Sequence, residues 1–318
     1  MVRPRTNRLS AVLTAASVCS FAAAGFMLRP MDTKGISVHN DYLVLAVQDN
    51  NGDTDFGGFT LRKNSNNESE TLTYSQYCTS FAEVSINGTV KLFSEGKNVK
   101  KPTVESDGSV VTVQDFDGVE ITQKLSFSTG NTENYDMLRI EYITENKSGV
   151  DVLVSVRSII DPTIADSEND PIVAGDTAYK TETSFTGSSI PEDWKVKNAE
   201  GAIVAYGITS DGSTAPDCFD IADWSNLFND RFDYAPDGDI NDNAVALTWS
   251  EKTLKDGDSL TYGTKYGLYS EKAGTGSNET VKNSPKTGDK GAFAFAGLGA
   301  ASMTAAILFR KRRSEDNE

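Results

Sequence analysis

The sequence predicts an all-β chain folded as one large antiparallel β-sandwich, on three observations. Runs rich in Val, Ile, Thr, Tyr and Phe recur through the middle of the chain with polar and apolar residues alternating, the period-2 pattern of strands that bury one face. Asn-Gly and Asp-Gly pairs separate several of these runs, and such pairs reach the positive φ angles that two-residue hairpin turns require. Outside the two chain ends, no window carries a sustained helical stripe with caps.

The 318-residue chain opens with MVRPRTNRLSAVLTAASVCSFAAAGFML. Arg3, Arg5 and Arg8 precede an apolar run from Leu9, and Ala22-Ala23-Ala24 offers small residues for cleavage, the three-part pattern of a secretory signal peptide. Residues 1–24 are therefore expected to be a signal helix that is removed, and residues 25–269 the ectodomain. Its clearest strands lie between Phe81 and Phe127: FAEVSI, Asn87-Gly88, TVKLF, Asp107-Gly108, SVVTVQDF, Asp117-Gly118 and VEITQKLSF. Three such turns in one stretch predict an antiparallel meander. From Met137 to Asp161 two long runs flank Ser148-Gly149 and read as another hairpin. Ala202–Ile208, Ala244–Trp249 and Ser259–Leu268 follow as strands, and short helical turns are expected near Pro191–Trp194 and Asp220–Phe228. Residues 270–283, SEKAGTGSNETVKN, are small and polar and read as a flexible stalk.

The chain ends with Ser284-Pro285-Lys286-Thr287-Gly288, an apolar run from Gly291 to Phe309, and the basic cluster Arg310, Lys311, Arg312 and Arg313. At ~1.5 Å per residue a helix over that run spans roughly 28 Å, about one bilayer core. The basic cluster then stays on the cytoplasmic side. Pentapeptide, span and basic tail in this order resemble the cell-wall sorting signal of Gram-positive surface proteins, the LPXTG family. The resemblance implies that a membrane-bound sortase cleaves between Thr287 and Gly288 and passes the Thr287 acyl group to an amine of the peptidoglycan precursor. Pro285 would supply the kink and Lys286 the free position, with Ser284 where the main pattern has Leu. It also implies a protein anchored in the cell wall, outside the cell.

Asp and Glu number 46 against 30 Lys and Arg, for a net charge of −16. The two ends are mildly basic, +3 over residues 1–24 and +1 over residues 289–318, so residues 25–288 carry about −20. Such a body repels phosphate backbones, which argues against nucleic acid as a partner. The segments EITQKLSF, VRSIID, TETSFTGSSIPEDW, PDCFDIADW and AVALTWSEKTLKDGDSLTYGTKYGL, spanning Val119 to Leu268, resemble galactose-mutarotase-like or carbohydrate-binding supersandwiches.

Catalysis by a histidine-based set is constrained, because His39 is the single imidazole and neither G-x-S-x-G nor H-E-x-x-H occurs. The expectation is a non-catalytic module for adhesion or carbohydrate binding, with glycans or host surface proteins as partners. The alternative is a carbohydrate-active enzyme with paired carboxylates. For the alternative, the loop DPTIADSENDP supplies Asp161, Asp166, Glu168 and Asp170. For binding, the stretch CFDIADWSNLFNDRFDY mixes aromatics with acids and amides in what reads as a loop, and Trp224, Phe228 and Tyr234, with Asp161 and Asp170, are the candidate contacts. Tryptophans in a sandwich otherwise belong to its core.

Calcium needs several oxygen ligands in a tight turn. Asp49, Asn51, Asp53 and Asp55 in one loop, and Asp237, Asp239, Asn241 and Asp242 in another, have suitable spacing. Asx-rich turns of this kind also form for conformational reasons alone. Cys78 and Cys218, the two cysteines left after signal removal, are open to a disulfide or to two buried thiols.

Overall fold

The computed structural model describes residues 35–49, 56–67, 70–75, 78–165, 167–270 and 286–287. The expected signal peptide, nearly all of the stalk, the apolar run and the basic tail lie outside the described residues. Among the described residues no helix is long and apolar enough to cross a membrane.

The strands run in order as β1 (Ile36–His39), β2 (Leu43–Val47), β3 (Phe59–Lys63), β4 (Phe81–Ile86), β5 (Thr89–Leu92), β6 (Lys97–Val104), β7 (Val110–Phe116), β8 (Val119–Ser128), β9 (Met137–Asn146) and β10 (Val152–Ile160). They continue as β11 (Ile172–Ala174), β12 (Thr177–Tyr179), β13 (Thr183–Thr186), β14 (Asp193–Lys197), β15 (Ile203–Ile208), β16 (Cys218–Asp223), β17 (Asn243–Leu254), β18 (Ser259–Leu268) and β19 (Lys286–Thr287). One short helix, α1 (Trp224–Asp230), follows β16.

These strands form two large antiparallel sheets, ordered β13-β16-β17-β10-β4-β5 and β12-β11-β14-β15-β18-β9-β8-β7-β6, with a smaller sheet β19-β1-β2-β3. The large sheets face each other over one core. Val84, Val154, Val156, Phe219 and Leu247 come from the first, and Ile121, Ile140, Tyr142, Trp194 and Tyr262 from the second. Val38, Leu45 and Leu61 of the small sheet join the same core. The protein is thus an all-β sandwich, and each fully buried large apolar side chain contributes about 1.5–3 kcal/mol to it.

Local sequence accounts for the best-formed elements. Every second residue of β8, VEITQKLSFS, is buried, so its alternation faces the core as written. Asn87 and Gly88 have φ of 50° and 78°, and Asp117 and Gly118 have 56° and 93°, positive at both positions as two-residue hairpins require.

Two expectations about connectivity are corrected. The stretch from Phe81 to Phe127 is not one meander: the β4–β5 hairpin lies in the six-stranded sheet, and β6, β7 and β8 in the nine-stranded one. The crossover is a single helical turn at Phe93–Glu95, where buried Phe93 packs edge-on to Tyr142 across the core. Likewise β9 and β10, which flank Ser148-Gly149, are not paired; each belongs to a different sheet. Turn chemistry reverses the chain but does not decide which sheet the next strand joins.

The turn expected at Pro191–Trp194 is also replaced, because Asp193–Lys197 is strand β14. Trp194 stacks on Tyr266 with ring centroids 5.1 Å apart. Gly207 opposite it leaves room for the indole, since a Cβ there would lie 2.1 Å from Trp194 Cε2.

Candidate functional site

Four carboxylates gather where β10 ends and β17 begins. Asp161 follows β10 and is buried; its backbone N–H donates to Ser80 Oγ (3.1 Å) and its Oδ1 accepts from Thr163 Oγ1 (3.3 Å). Asp242 precedes β17 and is half-buried. Glu168, from the loop after Asp161, acts electrostatically on both, and Asp223 acts on Asp242. Asn243 ties that loop in, its Nδ2 donating to the carbonyls of Glu168 (3.0 Å) and Asp170 (2.8 Å).

Crowding of like charges away from water raises carboxyl pKa values. Burial is the main cause for both acids: Asp161 is pushed up to about 7, and Asp242, with Asp161 and Glu168 as repelling neighbours, to about 8. This pair therefore holds protons close to neutrality.

An aromatic group stands beside the acids. Trp224 and Phe228, one turn apart on α1, stack at 5.1 Å, and Phe81 of β4 meets both edge-on at 6.5 and 5.9 Å. Trp224 Nε1 donates to the Thr79 carbonyl (3.1 Å), and the Thr79 hydroxyl lies beside Asp161. The rings are half-exposed. Asp223 holds α1 in place as its N-cap, Oδ1 accepting from Ser225 N (3.1 Å) while Oδ2 accepts from Asn241 N (3.2 Å).

Beneath α1 the outer face of the six-stranded sheet carries a second set of charged groups. Arg157 of β10 stands opposite Glu83 of β4, and its Nη1 donates to Glu83 Oε2 (3.1 Å) and to the Leu227 carbonyl of α1 (2.9 Å). Asp220 of β16 and Glu182, just before β13, lie on the same side and are buried. Asp220 accepts from Ser184 Oγ (2.5 Å) and from the Cys218 thiol (3.3 Å). Tyr234 lays its ring 5.9 Å from the Arg157 guanidinium carbon. Burial raises the Glu83 and Asp220 carboxyls above the usual range.

The structure thus brings Asp161, Trp224, Phe228 and Tyr234 to one end of the sandwich, Tyr234 by packing with Trp224 and Phe81 on the cluster of Ile159, Ala222, Leu227, Ala244 and Ala246. The segment expected as a loop is instead the end of β16 followed by α1. Asp170 is buried apart from the rings, accepting from Ser167 Oγ at 3.1 Å, and Asp166 lies outside the described residues.

Of the calcium candidates, Asn51, Asp53 and Asp55 fall outside the described residues, leaving Asp49 at their edge. Asp237, Asp239 and Asn241 have their backbones engaged by neighbouring segments. The Asp237 N–H donates to Glu182 Oε2 (3.1 Å), Asp239 bridges to Thr181, and Asn241 N–H goes to Asp223. Among the described residues no three His, Cys, Asp or Glu side chains converge as a metal site.

The disulfide left open by the sequence is not formed: Cys78 and Cys218 are not bonded to each other. Cys218 begins β16, whereas Cys78 adjoins Thr79 at the Trp224 end, beyond the last residue of that strand. Five residues of strand separate the two ends, roughly 17 Å at about 3.3 Å per residue, far outside the ~7 Å that a disulfide can bridge.

Sequence reasoning did not single out Glu83, Arg157, Glu182 or Asp220. For three of them the available signal was a charge inside an apolar strand: Glu83 in FAEVSI, Arg157 in VLVSVRSII and Asp220 in CFDIAD.

No protein-family model and no curated protein matches the chain. Among solved structures, it is similar to a putative kojibiose phosphorylase from human microbiome, with 11% identity over 90% of this chain and 33% of the other at a TM-score of 0.40. A galactose mutarotase related enzyme from Lactobacillus acidophilus has 8% identity over 74% of this chain and 97% of its own at 0.41. A polysaccharide lyase has 14% identity over 74% and 32% at 0.44. The chain therefore spans about a third of the phosphorylase and of the lyase. Each of these solved structures is described as an enzyme, against the expectation of a non-catalytic module.

Proposed function

We propose that the end of the sandwich around Asp161, Asp242 and the Trp224–Phe228 stack is the active site of a carbohydrate-active enzyme. The observation that carries this reading is a carboxyl pair raised toward neutrality beside accessible stacked rings. General acid–base chemistry needs one carboxyl that still holds its proton and one that can take a proton, and a crowded pair supplies both. Indole and phenyl rings cover the apolar faces of a sugar while Asp223 and Glu168 offer acceptors for its hydroxyls. Asp161→Asn and Asp242→Asn keep size and shape but remove the titrating group. In a screen of plant, mucin and bacterial-wall polysaccharides, each should lower turnover by roughly 10²–10⁴-fold. Trp224→Ala should mainly raise KM. Undiminished turnover in Asp161→Asn overturns the assignment.

The same proposal places the protein in the cell wall. SPKTG at 284–288, the apolar run and the basic tail support attachment by sortase, whose thiolate would break the Thr287–Gly288 amide and hand the acyl group to the peptidoglycan precursor amine. Thr287→Ala should move the protein from the wall fraction to the membrane or medium; unchanged wall attachment refutes this part.

A further inference from the structure

The segment from Asp223 to Asp242 covers the charged face of the six-stranded sheet, and a few buried contacts hold it down. Glu182 is the main one: Oε1 accepts from Asp223 N (3.0 Å) and Asn226 Nδ2 (2.8 Å), and Oε2 from Asp237 N (3.1 Å). Arg157 adds its bond to the Leu227 carbonyl, and Ile240 N donates to the Lys180 carbonyl at 2.9 Å.

What lies beneath is only partly satisfied. Arg157 is 1% exposed, yet its Nη2 has no acceptor among the described residues. Glu83 is 0% exposed, and its Oε1 has no hydrogen-bond donor, the Arg231 Nε standing 3.8 Å away. A buried guanidinium nitrogen without an acceptor costs stability. Arg157 Nη1 is engaged by Glu83 Oε2 and the Leu227 carbonyl, which leaves Nη2 as the open arm of the fork. Asp220 and Glu182 supply further carboxyl oxygens on the same face.

We propose that this face is a sugar-hydroxyl subsite, that Asp223–Asp242 is the lid closed over it, and that Glu182 is the latch. The ligand it fits is a neutral vicinal diol. The guanidinium fork donates to hydroxyl oxygens and the carboxyl groups accept their protons, whereas a carboxylate ligand would meet Glu83, Glu182 and Asp220 as repelling neighbours. The inference extends the carbohydrate reading above and rests on it, because the lid also carries Trp224 and Asp242. Opening therefore connects this floor to the Asp161 end of the sandwich.

Hydrogen exchange of the full chain tests both parts. Glu182→Gln weakens the latch with little change of shape, so amides of 224–240 should exchange about tenfold faster, while those of β8 and β9 stay at the wild-type rate. Unchanged exchange at 224–240, or equal acceleration everywhere, overturns the lid. In the Glu182→Gln protein, 0.2 M D-glucose or D-galactose should slow exchange at 224–240 again, and glucuronate should not. Arg157→Lys, which keeps the charge but loses the fork, should abolish that effect. No response to either neutral sugar, or an equal response to glucuronate, overturns the subsite. Asp161→Asn leaves the lid response intact, so loss of turnover in that variant and failure of the lid are separate results.

Discussion

Asp161 and Asp242 keep protons that a carboxyl group in water surrenders near pH 4. Their folded pKa values, about 7 and about 8, lie above the unfolded value of about 3.9. The folded chain therefore binds more protons than the unfolded one between these limits. The stability this contributes is complete below about pH 4 and is lost as the pH rises through 7 and 8. Thermal melts should show the wild type losing stability from pH 5 to pH 9 relative to Asp161→Asn/Asp242→Asn, by on the order of 1 kcal/mol or more. Parallel profiles for the two proteins would mean that the pair does not titrate in this range. Gly207 offers a residue-scale check on the core. A methyl group there meets the Trp194 indole at 2.1 Å, so Gly207→Ala should cost about 1–3 kcal/mol in denaturant melts.

At the scale of elements, α1 is seven residues long, too short to persist without its cap and its packing. Asp223→Ala removes both the bond to Ser225 N and that to Asn241 N. It should cost about 1 kcal/mol and raise acrylamide quenching of tryptophan fluorescence, since Trp194 and Trp249 are fully buried and Trp224 is the accessible indole. Legibility of the elements follows how local their causes are. β8 could be read directly, because its alternation and the flanking Asp117-Gly118 turn lie within a dozen residues. β14 could not: Trp194 is in a strand because Gly207 and Tyr266 make room for its ring, and nothing near Pro191 says so. Ser148-Gly149 signalled a reversal but not the change of sheet. The site divides in the same way. Asp161, Trp224, Phe228 and Tyr234 stood out as acids and rings in unusual local company. Glu83, Arg157 and Asp220 each looked like a charge within an apolar strand and Glu182 like a residue between strands, and only the pairing of β4, β10, β17, β16 and β13 puts them on one surface.

Across the whole molecule, the late strands β17 and β18 occupy the middle of the two large sheets. β17 lies between β16 and β10, and β18 between β15 and β9. A chain ending before Ser259 lacks the strand that joins the two halves of the larger sheet. Residues 25–258 should therefore give no cooperative melt, while residues 25–270 should unfold in one transition, as circular dichroism would record. The pairing of β9 with β18 and of β10 with β17 also bears on how the fold is reached. Both partnerships join segments about a hundred residues apart, so loop-closure entropy opposes them until nearly the whole chain is present, and topology of this kind slows folding. During synthesis the first 240 or so residues therefore lack the central partners of both sheets, which leaves the edges of β9 and β10 unpaired. That delay makes those two strands the place where aggregation would begin if folding stalled.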